Sequence, residues 1–447
     1  MRRSPTFALC IVLFVLLASR FIPAAQKRPD AAWPHWRGPA HDGVADATVP
    51  LTWSDTTNVQ WKIAIPGRGM STPVIWGDRL FLTTAVPTGS ASEAAARPAA
   101  QGRGGAGGGT GAGQEHRFEV LAIDRRTGKT LWQHTATTAA PHEGYHRIYG
   151  SFASNAPATD GQRLYAFFGS RGLYVYDLNG KPLWQKDFGL KMTMRLAFGE
   201  GTGVVVNDGR VYLQFDHQQE GFVVALDGAT GKELWRAARN ENSSWSTPLV
   251  VQHAGAKQLV VTADTRVKSY DVNTGKVIWE VTGLGTNPIP QPVQHGDLVL
   301  MMSGYRNPRL MAVRLGRTGD LTGTDAIAWE TTRGTSYTAS PALHDGKLYV
   351  IADNGQMSVF NATTGEPHYL QTRLPKPYNF KASPLVVRDR VYLASEEGDV
   401  IVVKAGPQFE VLATNTLTDQ SFIASPIAVG NDLYLRSRTH LFRISEK

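Results

Sequence analysis

His142-Glu143-Gly144-Tyr145-His146 has the letters of the zinc-protease pattern H-E-x-x-H. That chemistry sets both imidazoles on one helix face, with the Glu as general base and a third ligand farther along. Pro141 precedes the segment and Gly144 interrupts it, and both oppose a helix. The segment reads as a loop, so no metal site is expected from it. Ser, His and Asp are plentiful, yet no strained turn marks one Ser as a nucleophile. No run of carboxylates and carbonyls has calcium-loop spacing. No catalytic residue is assigned.

The residues left over suit binding. Arg68, Tyr145, His146, Asn155, Arg195, Trp245, Asn287, Tyr337, Tyr378, Lys381 and Phe422 are cations, amides and aromatics. They recur at intervals, each a short way before an apolar strand that most often opens on a small residue and Pro. Arg171, Asp216, His217, Tyr305, Arg306 and Asn354 fall in a second set of loops. Scaffolded loops of this kind carry ligands and partners, and the mixture matches that of binding surfaces.

Two alternating phrases position them. One is a strand ending in Asp or Asn, a Gly turn, then a strand carrying Trp: Asp124 to Trp132, Asp177 to Trp184, Asp227 to Trp235 and Asp271 to Trp279, with a degenerate copy from Asn361 to Tyr369. The other opens at Pro73, Pro157, Pro248, Pro292, Pro341, Pro384 and Pro426, with a copy lacking Pro around Val204. After the first unit the copies lie roughly 42–49 residues apart, the period of four-stranded propeller blades. The Gly supplies positive φ for a tight turn and the Asp caps its backbone.

The fold class expected is therefore all-β, an eight-bladed β-propeller. Seven blades is the alternative, because the unit around Val204 is weak. The last unit lacks a strand, and Asn58 to Ile63 has the missing pattern. Pairing the two ends would close the ring and remove a free edge. The repeated Trp132, Trp184, Trp235, Trp279 and Trp61 are read as packing anchors between blades, with N–H groups on neighbouring backbone.

The chain has 447 residues, 42% of them hydrophobic and 19% charged, enough for a large core. Arg2-Arg3, an apolar run from Phe7 to Ala18, and Pro23-Ala24-Ala25 read as a signal peptide over 1–25. The run is short for a membrane span, although retention as an anchor stays open. The expected location is the periplasm or the outside of the cell. Cys10, the single cysteine, lies in that run without the small residues that precede a lipid-attachment site. The mature chain would hold no disulfide. The formal charge is +8 and the basic residues are scattered, so nucleic acid is not an expected partner. Residues 26–57 form an arm with Trp33 and Trp36, read as a cover over the propeller. Residues 88–114, rich in Gly and Ala, are read as a disordered insertion.

The Asp-x-x-Thr-Gly-Lys-x-Leu-Trp phrase resembles the repeat of pyrroloquinoline quinone (PQQ) propellers over roughly residues 58–444. The resemblance implies one of two kinds of protein. One is the non-catalytic scaffold of outer-membrane protein assembly. The other is the quinoprotein dehydrogenases, which hold PQQ and calcium over the channel. The large alcohol dehydrogenases of that family carry a disulfide of adjacent cysteines, which this mature chain lacks. The first expectation is a monomeric, non-catalytic propeller that binds an envelope protein or a small ligand on its loop face and needs no cofactor. The alternative is a PQQ-dependent dehydrogenase with a reduced site.

Overall fold

The computed structural model describes residue 29 and residues 31–89 and 110–446. The signal peptide expected over 1–25, and most of the insertion expected over 88–114, lie outside the described residues.

Eight antiparallel four-stranded sheets form the ring. Blade 1 comprises Val74–Trp76, Arg79–Pro87, His116–Asp124 and Thr130–Ala139. Blade 2 comprises Ala158–Thr159, Arg163–Phe167, Leu173–Asp177 and Pro182–Lys186. The unit around Val204 is a complete blade 3, from Val205–Asn207 to Glu233–Arg239, which removes the seven-bladed alternative. Blades 4 to 7 begin at Leu249–His253, Val293–His295, Ala342–His344 and Leu385–Val387. In each blade the strands are lettered A to D from the channel outward. Blade 8 takes Ile427–Val429, Asp432–Arg436 and His440–Ile444 from the far end of the chain. Its strand D is Val59–Ala64, running from Val59 opposite Ile444 to Ala64 opposite His440. The expected clasp is present.

Burial follows strand position. Strands such as Val223–Leu226 and Val400–Val403 are buried on both faces and are continuously apolar, as sandwiched strands must be. The outermost strands alternate instead, as in Thr130–Ala139. Between blades, the strand D indole reaches the next blade's C–D turn. Trp61, Trp132, Trp184 and Trp235 donate Nε1–H to the carbonyls of Arg125, Leu178, Gly228 and Val272 at 3.0–3.2 Å. Trp329, absent from the sequence reading, does the same to Ala362. The turn Gly is thereby fixed twice. Gly231 has φ +72°, and a Cβ there would lie 2.6 Å from the Trp184 ring. Trp279 departs from the pattern and donates to Gln258 within its own blade. The edge of its strand is covered by Gly319–Asp320, which adds a fifth, parallel strand.

The arm does more than cover. Ala32–Trp33 pairs with strand A of blade 1, and Val44–Ala45 pairs in parallel with strand A of blade 7. Between them, Thr159 N donates to Pro34 O and Leu343 N to Asp42 O. The arm thus lies inside the channel, bonded to the innermost strands of four blades. Arg37 is fully buried there and donates Nη2–H to Pro341 O and Pro384 O, both at 2.9 Å. Burial lowers its pKa to about 10, against the attraction of Asp42. Gly43 makes the space, since a Cβ on it would overlap the Arg37 guanidinium.

Candidate functional site

The plug closes the channel from the side of the A–B and C–D turns. The side of the D–A and B–C loops stays open, as a cup of about 610 Å³ with Trp36 of the arm in its lining. That volume is typical of small-molecule sites.

Six of the eleven residues expected at the site reach the cup: His146, Arg195, Trp245, Asn287, Tyr337 and Lys381. They come from the loops entering blades 2, 3, 4, 5, 6 and 7, so the closed ring is what brings them together. Tyr305 and Arg306 of the second loop set join them. The other five do not line the cup. Arg68 donates to the carbonyls of Arg147, Ile148 and Gly150 and lies over Tyr145. Tyr145 packs edge-on against Phe152, and its backbone pairs with Thr110. Asn155 is buried behind the wall and donates to Thr202 O. Tyr378 is buried with its hydroxyl on Asp399, and Phe422 is wholly buried. Tyr149, Phe198, Glu200, Thr338 and Asp353 line the cup without belonging to the expected set. Asp353 lay one position from Asn354, and no repeat marks the others.

The H-E-x-x-H segment is a loop whose polar groups diverge. His142 Nε2 meets Met192 O at 2.8 Å and Glu143 Oε2 accepts from Met194 N at 2.7 Å. These bonds anchor the loop that carries Arg195. His146 alone faces the cup. Its Nδ1 accepts from Tyr149 N at 3.2 Å, so a neutral ring carries its proton on Nε2. Burial, and then the charges of Lys381, Arg147 and Arg68, push its pKa below the ordinary imidazole value.

Three cations and six aromatic rings give the cup its character. Lys381 Nζ lies 2.7 Å from Asp353 and 3.6 Å from Glu396, and 4.5 Å over the Tyr149 ring. Burial works against its charge, but the two carboxylates outweigh it and hold the ammonium above its usual pKa. Tyr305 and Tyr337 stack at 5.1 Å. Trp245 is pinned by Nε1–H to Gly199 O at 2.6 Å. The Arg195 backbone N–H donates to Ser243 Oγ, while its guanidinium has no hydrogen bond or ion pair among the described residues. Arg306 is exposed at the rim, and among the described residues its guanidinium shares only a ring contact with Tyr305.

The oxygen donors are already engaged. Glu200 accepts from Ser170 N, Ser170 Oγ and Arg171. Asp353 accepts from Thr338 N, Thr338 Oγ and Lys381. No group of three His, Cys, Asp or Glu among the described residues could hold a metal ion. The Glu200 and Asp353 carboxylates therefore have little free capacity for a calcium ion, which needs several oxygen ligands.

Fold and site together define an eight-bladed propeller with a plugged channel and a single-ended central cup. The profile described as outer membrane protein assembly factor BamB matches residues 45–189, 116–319 and 174–406, and the chain belongs to that family. A curated relative, polyvinylalcohol dehydrogenase from a Pseudomonas species, is 24% identical over 302 residues, or 58% of this chain and 41% of its own. The chain spans less than half the length of the curated relatives it matches. Among solved structures, europium-containing methanol dehydrogenase aligns with a TM-score of 0.64 at 11% identity, covering 93% of this chain and 98% of that one. BamB from Moraxella catarrhalis aligns at 0.52 and 14% identity, over 72% and 91%. At such identities the likeness is one of fold.

Proposed function

We propose that this is an exported, non-catalytic binding propeller that holds a small, flat, anionic molecule in the cup of its loop face. The observation that carries this reading is the partner-free Arg195 guanidinium beside a wall of aromatic rings in a cup closed at its far end. Ring faces supply area and stacking, and an unpaired guanidinium rewards a carboxylate or phosphate with charge-assisted hydrogen bonds. The lining offers no unengaged acid–base pair, which supports binding without chemistry. Membership of a family described by an assembly factor supports it as well. Among the described residues no helix is long and apolar enough to cross a membrane.

The second reading is a PQQ-dependent dehydrogenase. Its support is the likeness to polyvinylalcohol dehydrogenase and methanol dehydrogenase. The engaged carboxylates of Glu200 and Asp353 count against it. Titration with PQQ, with and without calcium, separates the two, followed by the fluorescence of Trp36 and Trp245. Saturable quenching that ignores calcium supports the binding reading. Quenching that requires calcium moves the protein to the dehydrogenases. No quenching by PQQ, and none by simple aromatic carboxylates, removes the flat-anion reading.

A further inference from the structure

The opposite face carries a feature unrelated to the cup. The C–D turns of blades 1 to 4 each present a lysine just after the turn Gly: Lys129, Lys181, Lys232 and Lys276. All four are exposed, and none makes a side-chain hydrogen bond or ion pair among the described residues. Two positions on, blades 1 to 3 expose Leu131, Leu183 and Leu234, at 48%, 42% and 44%, and blade 4 exposes the adjacent Val277 at 48%. These are four of the six large hydrophobic side chains that stand exposed among the described residues. The other half-ring lacks the pair. Where the lysine would stand, blades 5 to 8 have Ala326, Glu366, Glu410 and Asn58.

Structural need does not explain the arc. The turn is held by its Asp, as where Asp227 Oδ1 accepts from Ala229 N, Thr230 N and Thr230 Oγ1. That engagement occupies the turn carboxylates, while the four ammonium groups have no bonded partner among the described residues. Other exposed acidic groups on this half of the face, Glu233, Asp78 and Asp208, are paired with Arg236, Arg126 and Lys257. Equivalent positions of successive blades are related by rotation about the channel axis, about 45° per blade in an eight-bladed ring. The four Lys and their apolar neighbours therefore lie in one plane, along half the rim.

We propose that this arc docks the propeller onto an anionic phospholipid surface, with the cup facing away from it. Lysines reaching the headgroups and short apolar side chains entering the boundary are the two contributions that hold peripheral proteins. A planar arc matches a bilayer better than a rounded partner. The chain also enters the described fold on this face, where Gly77 N, in the A–B turn of blade 1, donates to Ala31 O at 2.8 Å.

The test uses residues 29–447, which contain every strand of the ring and lack the apolar run. Co-sedimentation is measured with phosphatidylcholine vesicles containing about one-third phosphatidylglycerol, and with pure phosphatidylcholine. The expected result is binding to the anionic vesicles that falls as salt rises. It should drop about tenfold or more in the Lys129→Glu, Lys181→Glu, Lys232→Glu, Lys276→Glu variant. Leu131→Ser, Leu183→Ser, Leu234→Ser should weaken it independently, and Lys404→Glu on the other half-ring should not. An unaltered tryptophan emission spectrum reports that each variant keeps its fold. Failure of the parent segment to pellet with anionic vesicles overturns the proposal. So does equal binding to the neutral vesicles, or full binding by the four-lysine variant. None of these outcomes bears on the cup.

Discussion

On the turn face, Trp132, Trp184 and Trp235 each sit on the glycine of the next blade's turn and bond a carbonyl beside it. On the loop face, six successive blades send different side chains to the cup from the loops that enter them: His146, Arg195, Trp245, Asn287, Tyr337 and Lys381 follow one another around the ring. The first face repeats because every interface between blades is the same packing problem. The second varies, as the proposed single central ligand would require, since it would meet each blade from a different side. Conservation of stability and diversification of function are thus separated along the channel axis, with the plug between them.

That separation predicts that changes to the turn-face packing anchors alter stability, while changes in the cup alter binding alone. The largest effect is expected from Trp235→Ala, which empties a buried interface and leaves Val272 O with only the long bond from the Tyr212 hydroxyl, 3.4 Å. We expect a loss of about 3–5 kcal/mol in denaturant unfolding. Arg37→Met tests the plug. It leaves Pro341 O and Pro384 O without donors, with an expected loss of about 2 kcal/mol. Arg195→Ala should leave stability within about 0.5 kcal/mol yet weaken any anionic cup ligand about tenfold, read by fluorescence titration. A stability loss as large as that of Trp235→Ala would break the comparison.

The smallest effect is on pH dependence. Burial lowers the pKa of His116, His146, His217 and His440 below the ordinary imidazole value of about 6.5. The unfolded chain then binds more protons than the folded one as pH falls through that value, so stability declines on acidification. Thermal melts should show a lower midpoint at pH 5 than at pH 7. Since His146 is the member of this set that lines the cup, His146→Gln should shrink the pH dependence of ligand binding without abolishing the slope in stability.

The legibility of the chain divides along the same line. The repeat exposed the blades, the turn chemistry and the anchoring indoles, because identical packing leaves identical residues. Even the clasp at Asn58 to Ile63 could be read, since strand D has its own pattern. The cup was read by position in the loops, which finds the right segments but not the direction of each side chain. Tyr378 and Phe422 sit in such segments and turn into the core. Tyr149 and Asp353 sit beside expected residues and turn into the cup. Trp33 and Trp36 were seen as a cover, whereas hydrogen bonding to inner strands, a purely tertiary matter, drew the arm inside.

The clasp has a consequence for the order of events in the cell. A ring latched by joining residue 59 to residue 444 cannot shut until nearly the whole polypeptide has been made. Until then an open ring would leave the packing faces of its two end blades uncovered and strand His440–Ile444 without its outer partner, the kind of intermediate that aggregates unless it is shielded. Under the export proposed above, the same delay would keep the polypeptide threadable while it crosses, with the ring locking only when His440–Ile444 arrives beside Val59–Ala64.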